Sequence, residues 1–417
     1  MLEASILLIG DELLAGEVQD QNGFFFAEEL AKEGFRTQEI RVMPDDVEAI
    51  LEAVRTLLPR SALLVICGGL GPTSDDLTTE AVAKALGRQL RLDEVQWERI
   101  RNVFRTFRGE DPPPGNEKQA LIPQGAEVLN NVLGTAPGYV TEEGSCVVAV
   151  FPGPPRENRP MLRSELLPWL ERRFSGRGRR ETRVFRVFGL AESEVGHRLR
   201  HVEKDYPGVR VGYQFHFPEI LVKLRGSSEQ KDLLDRASQA LAAALGSSVY
   251  ATGEERLPAV LGRRLAEAGL KIVTAESCTG GLAGKLLTDT PGSSAWMEAG
   301  FVAYSNEAKE RLLGVPGHVI RAYGAVSEPV ALAMLSGALE RCSAHVGFSI
   351  TGIAGPEGGT AEKPVGTVCI AWGMRGRLSA HTYRFAWDRQ YNRLASAWAA
   401  MHRLYIQLTE SFGAQEI

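Results

Sequence analysis

Short, wholly apolar runs that end at glycine- or proline-rich turns constrain this chain most. Residues 62–67 (ALLVIC) run into Gly68, and residues 146–151 (CVVAVF) stop at a Pro-Gly-Pro-Pro turn. Such runs lack polar alternation, which is typical of strands buried on both faces of a parallel sheet. Helix-compatible stretches lie between them, at residues 23–33, 44–58 and 77–86. Residues 1–170 are therefore predicted to form an α/β domain with a mostly parallel sheet.

The same patterns divide the rest of the chain in two. A middle segment mixes strand patterns (184–188, 220–224) with helix patterns (192–202, 229–245). Its arginine-rich start, Glu171–Arg180, is predicted to be a solvated linker, with a nucleic-acid patch as the alternative. The last segment returns to strand–turn–helix order and closes with a long helix after Asp388. We predict three domains: α/β at 1–170, small α+β at 171–253 and α/β at 254–417.

Composition and charge exclude several classes of protein. The 417 residues suffice for two to four domains, and a net charge of −5 argues against general nucleic-acid binding. Five cysteines without a CxxC pair indicate neither a disulfide framework nor a zinc site. No apolar run approaches the roughly 20 residues of a membrane span, and the acidic start Met1-Leu2-Glu3 is unlike a signal peptide. We expect a cytoplasmic protein without membrane contact.

The most informative polar cluster is the run Thr274–Gly281 (TAESCTGG), which follows a predicted strand and opens a predicted helix. The amino end of that helix is expected to offer N–H groups to an anion such as phosphate. Ser277 is a candidate nucleophile, and a serine needs a base. The run contains no histidine, so a Ser–Lys pair is favoured over a Ser-His-Asp triad. Lys309 is the best candidate base, with Lys285 and Lys363 as alternatives.

These residues also have ordinary structural explanations. Ser277 or Thr279 could be a helix N-cap, Lys309 a solvated helix residue, and Cys278 a small packed side chain rather than a nucleophile. A second glycine-rich turn, Thr351–Pro356 (TGIAGP), follows another apolar strand. Its backbone amides and the Thr351 hydroxyl suit a phosphate or an oxyanion.

Carboxylates gather on two glycine-rich turns of the first domain. One is Gly10–Gly16 (GDELLAG), followed by Asp20 and Asn22, and the other is Gly68–Thr78 (GGLGPTSDDLT). Carboxylate oxygens beside a helix start suit a hard divalent cation and the phosphates that it bridges. The alternative is that Asp75 and Asp76 cap a helix and that Asp11 and Glu12 form a solvated turn.

Taken together, the C-terminal motifs resemble the C-terminal domain of the CinA family, the nicotinamide mononucleotide deamidases. The matching runs are AESCTGG (275–281), PGSS (291–294), GFVAYSNEAK (300–309), GAVSEPV (324–330), TGIAGP (351–356) and EKPVGTV (362–368). The resemblance implies hydrolysis of nicotinamide mononucleotide to nicotinic acid mononucleotide and ammonia, without a cofactor. It implies that Ser277 attacks the amide carbon, that Lys309 with Tyr304 moves the proton, and that Thr351 assists at the tetrahedral intermediate. The implied substrate contacts are Thr279, Gly280, Gly281, Asn306, Gly352, Gly355 and Lys363.

The N-terminal motifs resemble the same family, whose first domain is similar to molybdopterin-binding proteins. They lie at residues 10–22, 68–78, 116–120, 134–139 and 151–157. The resemblance implies a metal-dependent pyrophosphatase that splits ADP-ribose into AMP and ribose 5-phosphate. Asp75 and Asp76 would hold a divalent cation, Mg²⁺ above others, with K⁺ as an optional second ion, and Asp76 would act in catalysis. The implied substrate contacts are Asp11, Asn22, Gly68, Gly69, Thr73, Asn116 and Lys118.

The middle segment is similar to the KH-like module of this family. It contains no GXXG loop, with which nucleic-acid-binding KH modules clamp a backbone. We interpret it as a spacer or assembly element, with RNA or DNA binding as the minor alternative. As a whole, the resemblance implies a homodimeric, bifunctional enzyme of pyridine-nucleotide salvage. The alternatives are a molybdopterin- or nucleotide-binding protein and a competence-related scaffold with only one active domain.

Overall fold

The computed structural model describes residues 2–175 and 180–412. Contacts divide the chain into two compact units, Met1–Glu181 with Ser227–Glu229, and Thr182–Gly226 with Gln230–Ile417. Among the described helices, none combines the length and the apolar composition that crossing a membrane requires.

The first unit alternates strands and helices around one large sheet. In chain order its elements are β1 (Leu2–Ile9), α1 (Asp11–Leu14), α2 (Asn22–Lys32), β2 (Phe35–Met43), α3 (Val47–Leu57), β3 (Leu63–Cys67), α4 (Thr78–Ala85), β4 (Leu90–Leu92), α5 (Glu94–Arg108), β5 (Leu121–Pro123), β6 (Glu127–Leu129), β7 (Gly138–Glu143), β8 (Cys146–Phe151), α6 (Pro155–Met161) and α7 (Leu167–Arg173). The sheet order is β2-β1-β3-β8-β7-β6. Its first four strands are parallel and the β7–β6 edge is antiparallel, so the predicted mostly parallel sheet is confirmed.

Both faces of this sheet are covered by helices. Successive residues of β1 point to opposite faces, so Ile6 and Leu8 join one buried cluster with α2. Leu7 and Ile9 join a second cluster with α3 and α4. All five residues of β3 are buried. This burial on two sides is the reason for the continuous apolar runs in the sequence.

The turns at the carboxyl ends of β1, β2 and β3 meet at one edge of the sheet. After β3 the chain turns through Gly68, whose φ is 114° and where an added Cβ atom would lie 2.2 Å from the carbonyl oxygen of Ile9. Only glycine fits this position, because any side chain would meet backbone there. Open α/β sheets bind their ligands at this edge.

The second unit begins with a small α+β domain. Its elements are β9 (Arg180–Val187), α8 (Glu192–Asp205), β10 (Arg210–His216), β11 (Glu219–Ser227), α9 (Lys231–Leu245) and β12 (Val249–Thr252), in a sheet ordered β10-β11-β9-β12. The sequence patterns do not predict β10, none of whose residues is buried, or the short β12. The α+β prediction is confirmed, whereas the linker prediction for 171–180 is wrong at both ends. Its first three residues close α7, where arginine favours a helix carboxyl end, and Arg180 begins β9, while residues 176–179 lie outside the described residues.

The rest of the second unit is an α/β domain. Its elements are α10 (Leu257–Glu267), β13 (Ile272–Glu276), α11 (Leu282–Thr288), β14 (Met297–Val302), α12 (Asn306–Leu313), α13 (Gly317–Tyr323), α14 (Glu328–Glu340), β15 (Val346–Gly352), β16 (Thr367–Met374), β17 (Arg377–Arg384) and α15 (Arg389–Phe412). The sheet order is β14-β13-β15-β16-β17, with the first three strands parallel. One buried cluster holds residues of α10, α11 and α15, and the other holds residues of α12, α13 and α14. The predicted α/β fold of this segment is confirmed.

Candidate active sites

Ser277 and Lys309 meet at the carboxyl end of β13. Ser277 follows the strand directly, and its main-chain N–H donates to the Ile350 carbonyl of β15 at 2.9 Å. Lys309 lies one turn into α12, which begins at its N-cap residue Ser305. The Lys309 Nζ atom is 3.0 Å from Ser277 Oγ and 3.0 Å from the main-chain oxygen of Tyr304. The structure therefore brings the predicted nucleophile and the predicted base into hydrogen-bond contact.

The ammonium group of Lys309 is held almost out of contact with water. The residue is 2% exposed, and burial lowers its pKa below the ordinary value for lysine, while Cys278 and Glu307 act in the opposite direction. Desolvation disfavours the charged form of an amine, so the neutral form becomes accessible at lower pH. A neutral amine beside a hydroxyl can accept its proton, which is what a serine nucleophile requires.

The two alternative lysines have other partners. Lys285 lies on the surface of α11, where its Nζ pairs with Asp289 at 2.5 Å. Lys363 donates to the carbonyls of Tyr323 and Val326, at 2.8 Å each, and so fastens the loop between α13 and α14. Of the three candidates, only Lys309 contacts Ser277. The predicted substrate contact of Lys363 stays a prediction.

Glu276, which the sequence analysis did not single out, caps the helix after the nucleophile. Its carboxylate accepts the main-chain N–H groups of Ala283 (3.0 Å) and Gly284 (2.8 Å) at the start of α11. The expectation that this helix end offers its N–H groups to an anion is therefore wrong, because a buried carboxylate already occupies them. The alternative that Ser277 or Thr279 caps the helix is wrong as well, because the N-cap residue is Gly281.

The neighbours of Ser277 form a tight turn, of which Cys278 and Thr279 are buried. Cys278 is buried, and burial raises the pKa of its thiol to about 12, so it stays protonated and packs as a small side chain. Gly280 and Gly281 have φ values of 58° and 90°, which favour glycine. The Thr279 hydroxyl is buried and has no hydrogen-bond partner within the described chain, while the Thr279 carbonyl accepts from Arg393 at 2.7 Å.

The other predicted residues of this site lie around the pair. The hydroxyl of Thr351, next to Ile350, is buried and donates to the Ala325 carbonyl at 2.8 Å. Tyr304 contributes its main-chain oxygen to the pair, while its side chain points to solvent. Gly352 ends β15, Gly355 lies in the following turn, and Asn306 is exposed at the start of α12. Their predicted contacts with substrate stay predictions.

Two arginines of α15 complete the surroundings of this site. Arg389 donates to the Gly355 carbonyl (2.7 Å) and to the Tyr304 hydroxyl (3.1 Å). Arg393 reaches the carbonyl of Thr279. Sequence reasoning missed both. The sequence does carry a signal for them. Positive charge in the first turns of a helix is unfavourable to the helix dipole, so arginines there indicate a partner outside the helix.

Acidic side chains from three turns come together in the first unit. The main-chain N–H of Asp11 donates to Asp45 Oδ2 at 2.9 Å. Partial burial raises the pKa of Asp45 above its ordinary value, and the charges of Asp11, Glu12 and Asp75 raise it further, although the Asp11 N–H opposes the shift. Asp45 was not among the predicted site residues, because its position just before α3 favours a capping role that Asp46 fulfils instead.

Beside this acidic group, Thr73, Asp76 and Lys118 form a connected set. Asp76 Oδ2 accepts from the N–H (2.9 Å) and the hydroxyl (2.5 Å) of Thr73, and Lys118 Nζ donates to the Thr73 carbonyl at 2.9 Å. An added Cβ atom at Gly69 would lie 2.3 Å from the Thr78 hydroxyl, and one at Gly71 would lie 2.4 Å from Asp76 Oδ2. Because they lack a side chain, the two glycines let the Thr78 hydroxyl and the Asp76 carboxylate lie against the backbone of this turn.

Asn22 and Asn116 mainly hold main-chain groups. Asn22 Nδ2 donates to the Gly153 carbonyl at 2.7 Å, and its Oδ1 accepts from Asn158. Asn116 is buried, and its Nδ2 donates to the Pro113 carbonyl at 2.9 Å. These contacts join α2 to the turn after β8 and to α6, and they close the loop before Lys118. The predicted substrate contacts of both asparagines stay predictions.

The acidic group fits a divalent cation in charge and in ligand type. The charges of Asp11, Glu12 and Asp75 disfavour the ionised form of the Asp45 carboxyl, and a cation would relieve that repulsion. Among residues 2–175 and 180–412, no three acidic, histidine or cysteine side chains are grouped closely enough to enclose a metal by themselves. Mg²⁺ usually takes only one or two carboxylates and fills its other positions with water and substrate phosphates.

Family models match three successive parts of the chain. They are the probable molybdopterin binding domain at residues 5–172, the damage-inducible protein CinA KH domain at 182–251 and the CinA C-terminal domain at 254–408. Together with the α/β folds, these matches indicate an enzyme of the CinA and molybdopterin-binding superfamily with a nucleotide-related function.

Close relatives extend over nearly the whole chain. A "CinA-like protein" of Syntrophotalea carbinolica is 40% identical over 404 residues, which are 97% of this chain and 98% of the relative. One of Anaeromyxobacter sp. (strain Fw109-5) is 41% identical over 410 residues, 98% of this chain and 99% of the relative. A "Putative competence-damage inducible protein" of Symbiobacterium thermophilum is 41% identical over 380 residues, 90% and 89% of the two chains. The chain belongs to the CinA family.

Proposed function

We propose that the C-terminal α/β domain hydrolyses the carboxamide of nicotinamide mononucleotide to nicotinic acid mononucleotide and ammonia. The observation that carries this proposal is the contact of 3.0 Å between the buried Lys309 Nζ and Ser277 Oγ. A serine beside a desolvated lysine is the arrangement of a metal-independent amidase. The finding that Lys285 and Lys363 have other partners supports Lys309 as the base.

The reaction proceeds in two steps at the serine. Ser277 Oγ attacks the carboxamide carbon while its proton passes to Lys309 Nζ. The C–N bond then breaks, Lys309 returns the proton to the leaving nitrogen, and ammonia departs from an acyl-serine. A water molecule, deprotonated by Lys309, hydrolyses the acyl-serine to the carboxylate. The Tyr304 carbonyl fixes Lys309 Nζ throughout, because it accepts a hydrogen bond from it at 3.0 Å.

The phosphate of the substrate needs positive charge near the pair. Because Glu276 occupies the start of α11, that helix end does not supply it. We assign this role to Arg389 and Arg393, whose side chains reach the Gly355 and Thr279 carbonyls at the edge of the site.

The test is ammonia release from nicotinamide mononucleotide by the full chain and its Ser277→Ala variant. We expect activity in the wild type, loss of about 10³-fold or more in the variant, and wild-type behaviour in Ser294→Ala, an exposed serine of the same domain. No ammonia from the wild type would refute the deamidase, and an active Ser277→Ala variant would refute the nucleophile.

We further propose that the first unit is a metal-dependent pyrophosphatase that splits ADP-ribose into AMP and ribose 5-phosphate. The meeting of carboxylates from three strand ends supports it. A divalent cation would be held by Asp75 and Asp76 with their acidic neighbours Asp11 and Asp45, and bound there it would activate water and neutralise charge on the diphosphate. Thr73 and its partner Asp76 shape the turn, and Lys118 adds positive charge for the phosphates.

This second activity is tested with ADP-ribose. Hydrolysis is expected to stop on addition of a chelator, to return with Mg²⁺, and to fall at least 100-fold in Asp76→Ala. Glu110→Ala, which changes an exposed carboxylate elsewhere in the unit, is expected to leave it unchanged. Hydrolysis that survives both the chelator and Asp76→Ala contradicts the metal site.

The alternative for the first unit is binding of a molybdopterin or nucleotide without hydrolysis, which its match to a probable molybdopterin binding domain favours. Ligand binding without any turnover of ADP-ribose would support that alternative. The chain is proposed to act in the cytoplasm as a homodimer, and K⁺ is proposed as an optional second ion of the first unit.

A further inference from the structure

The β10–β11 hairpin of the middle domain reaches the start of α15. The ring of Phe217, at the hairpin tip, packs edge-on against Trp387, with centroids 5.0 Å apart, and against Tyr391, with centroids 4.6 Å apart. Trp387 and Tyr391 lie on either side of Arg389 in the turn that begins α15. A residue from the middle domain therefore contacts the segment that carries Arg389.

The residue that begins β11, next to the hairpin tip, is also fastened to the C-terminal domain. Glu219, two residues after Phe217, is fully buried, and its carboxylate pairs with Arg186 at 2.8 Å and with Arg256 at 3.4 Å. It also accepts a hydrogen bond from the Tyr250 hydroxyl. Since Arg256 stands just before α10 of the C-terminal domain, this cluster fixes the hairpin to that domain.

From Phe217 the contacts continue to Ser277 and Lys309. The N–H and carbonyl of Trp387 bond the side chain of the buried Asn392, which also donates to the Ala354 carbonyl at 3.1 Å. Arg389 bonds the Gly355 carbonyl and the Tyr304 hydroxyl. The Tyr304 carbonyl in turn accepts from Lys309. The ring of Phe217 thus packs against the turn that holds Arg389. Arg389 in turn contacts Gly355 and Tyr304 at the edge of the site.

We propose that Phe217 is a positioning residue for the C-terminal site: its ring holds the Trp387–Tyr391 segment so that Arg389 and Tyr304 meet the anionic nucleotide substrate in a fixed geometry. This inference rests on the proposed amidase activity and adds to it a role for the middle domain. Without the ring, the Arg389 guanidinium and the hydroxyl of the Tyr304 side chain sample more positions, so the substrate binds more weakly. The chemistry at Ser277 and Lys309 is kept, because their own contacts do not involve the hairpin.

The experiment compares Phe217→Ala, Phe217→Tyr and Phe215→Ala in the full chain, with steady-state ammonia release from nicotinamide mononucleotide. Phe215 is the matched control, because its exposed ring contacts Phe217 (6.1 Å) and is not part of the site. We expect Phe217→Ala to raise KM on the order of tenfold with kcat within about twofold, and Phe217→Tyr to restore KM. Phe215→Ala is expected to behave as the wild type.

The KM-against-kcat split separates positioning from simple instability. A variant that merely unfolds in part lowers the apparent kcat and leaves KM unchanged, and this result would overturn the proposal. An equal rise of KM in Phe215→Ala would overturn it too. If the wild type releases no ammonia, the proposed amidase fails and the inference with it, whereas an active wild type with unchanged KM in Phe217→Ala refutes the inference alone.

Discussion

At the scale of single residues, burial decides which lysine can act as a base. Lys285 and Lys309 both lie on short helices near the site, and the sequence presents each as a possible partner of Ser277. Lys285 is largely exposed and paired with Asp289, so water and a carboxylate stabilise its charge. Lys309 is buried against Ser277, and burial lowers its pKa. A lysine side chain thus forms an ion pair where it is exposed and is suited to act as a base where it is buried.

The first prediction concerns Lys309→Met. Removing the amine is expected to lower kcat for ammonia release by about 10²- to 10⁴-fold, because general base assistance is lost. Lys285→Met is the control and is expected to keep full activity. In the wild type, kcat/KM is expected to rise with pH as Lys309 loses its proton and to level off below 10.5, because its pKa is lowered from that value. Equal losses in the two variants, or a rate independent of pH, contradict this assignment.

At the scale of elements, α11 depends on a residue that precedes it. The helix runs only from Leu282 to Thr288, and its first N–H groups are covered by Glu276, the last residue of β13. The carboxylate therefore ties strand to helix across the turn that presents Ser277. A short helix of this kind gains its stability from such tertiary contacts more than from helix propensity.

The second prediction concerns Glu276→Gln. The amide keeps the shape of the side chain but turns an NH₂ group toward one of two main-chain donors, Ala283 N–H or Gly284 N–H. We expect a loss of about 1–3 kcal/mol in the free energy of unfolding of the second unit, measured by chemical denaturation. Glu298→Gln, at an exposed glutamate on β14, is expected to change it by less than about 0.5 kcal/mol. Equal stability of the two variants would contradict the capping role.

At the scale of the whole molecule, the middle and C-terminal domains share a packed boundary within the second unit. Phe188 of the middle domain contacts Trp398 (5.8 Å) and His402 (5.2 Å) of α15, and Arg256 lies over the Trp398 ring. His402 Nε2 is 3.2 Å from the Ser247 carbonyl, and it donates when that nitrogen carries the proton. Burial lowers the pKa of His402 from 6.5 to about 4. This boundary therefore contains a histidine that is neutral in the folded protein.

The third prediction concerns acid stability. Unfolded His402 takes up a proton below pH 6.5, whereas folded His402 does so only near pH 4, so the unfolded state binds more protons between these values. Stability from this residue is complete above pH 6.5 and falls by about 3 kcal/mol as the pH drops to 4. His402→Gln keeps a donor for Ser247 and is expected to flatten the dependence of Tm on pH in this window. His318→Gln, at an exposed histidine, is expected to leave the slope unchanged.

Much of the fold and part of the site followed from local patterns. The apolar runs at 62–67 and 146–151 predict β3 and β8 to within one residue, because strands buried on both faces are continuously apolar whatever covers them. Residue type and the position of their motifs indicate Ser277 as the nucleophile and Lys309 as the best of three candidate bases, with Lys285 and Lys363 as alternatives. Asp45, Glu276 and Arg389 were missed or assigned local roles, because each acts on a group distant in sequence or across a turn.

Apolar periodicity and glycine turns are properties of consecutive residues, so the sequence indicates two α/β domains with a small α+β domain between them along the chain. It also determined the chemical types present at each site. Only the fold buries Lys309 away from water, brings Glu276 to the first N–H groups of α11, and places Phe217 against Trp387 and Tyr391. The physical reason is that burial, pKa and contact depend on which distant segments meet, and no local pattern of residues contains that information.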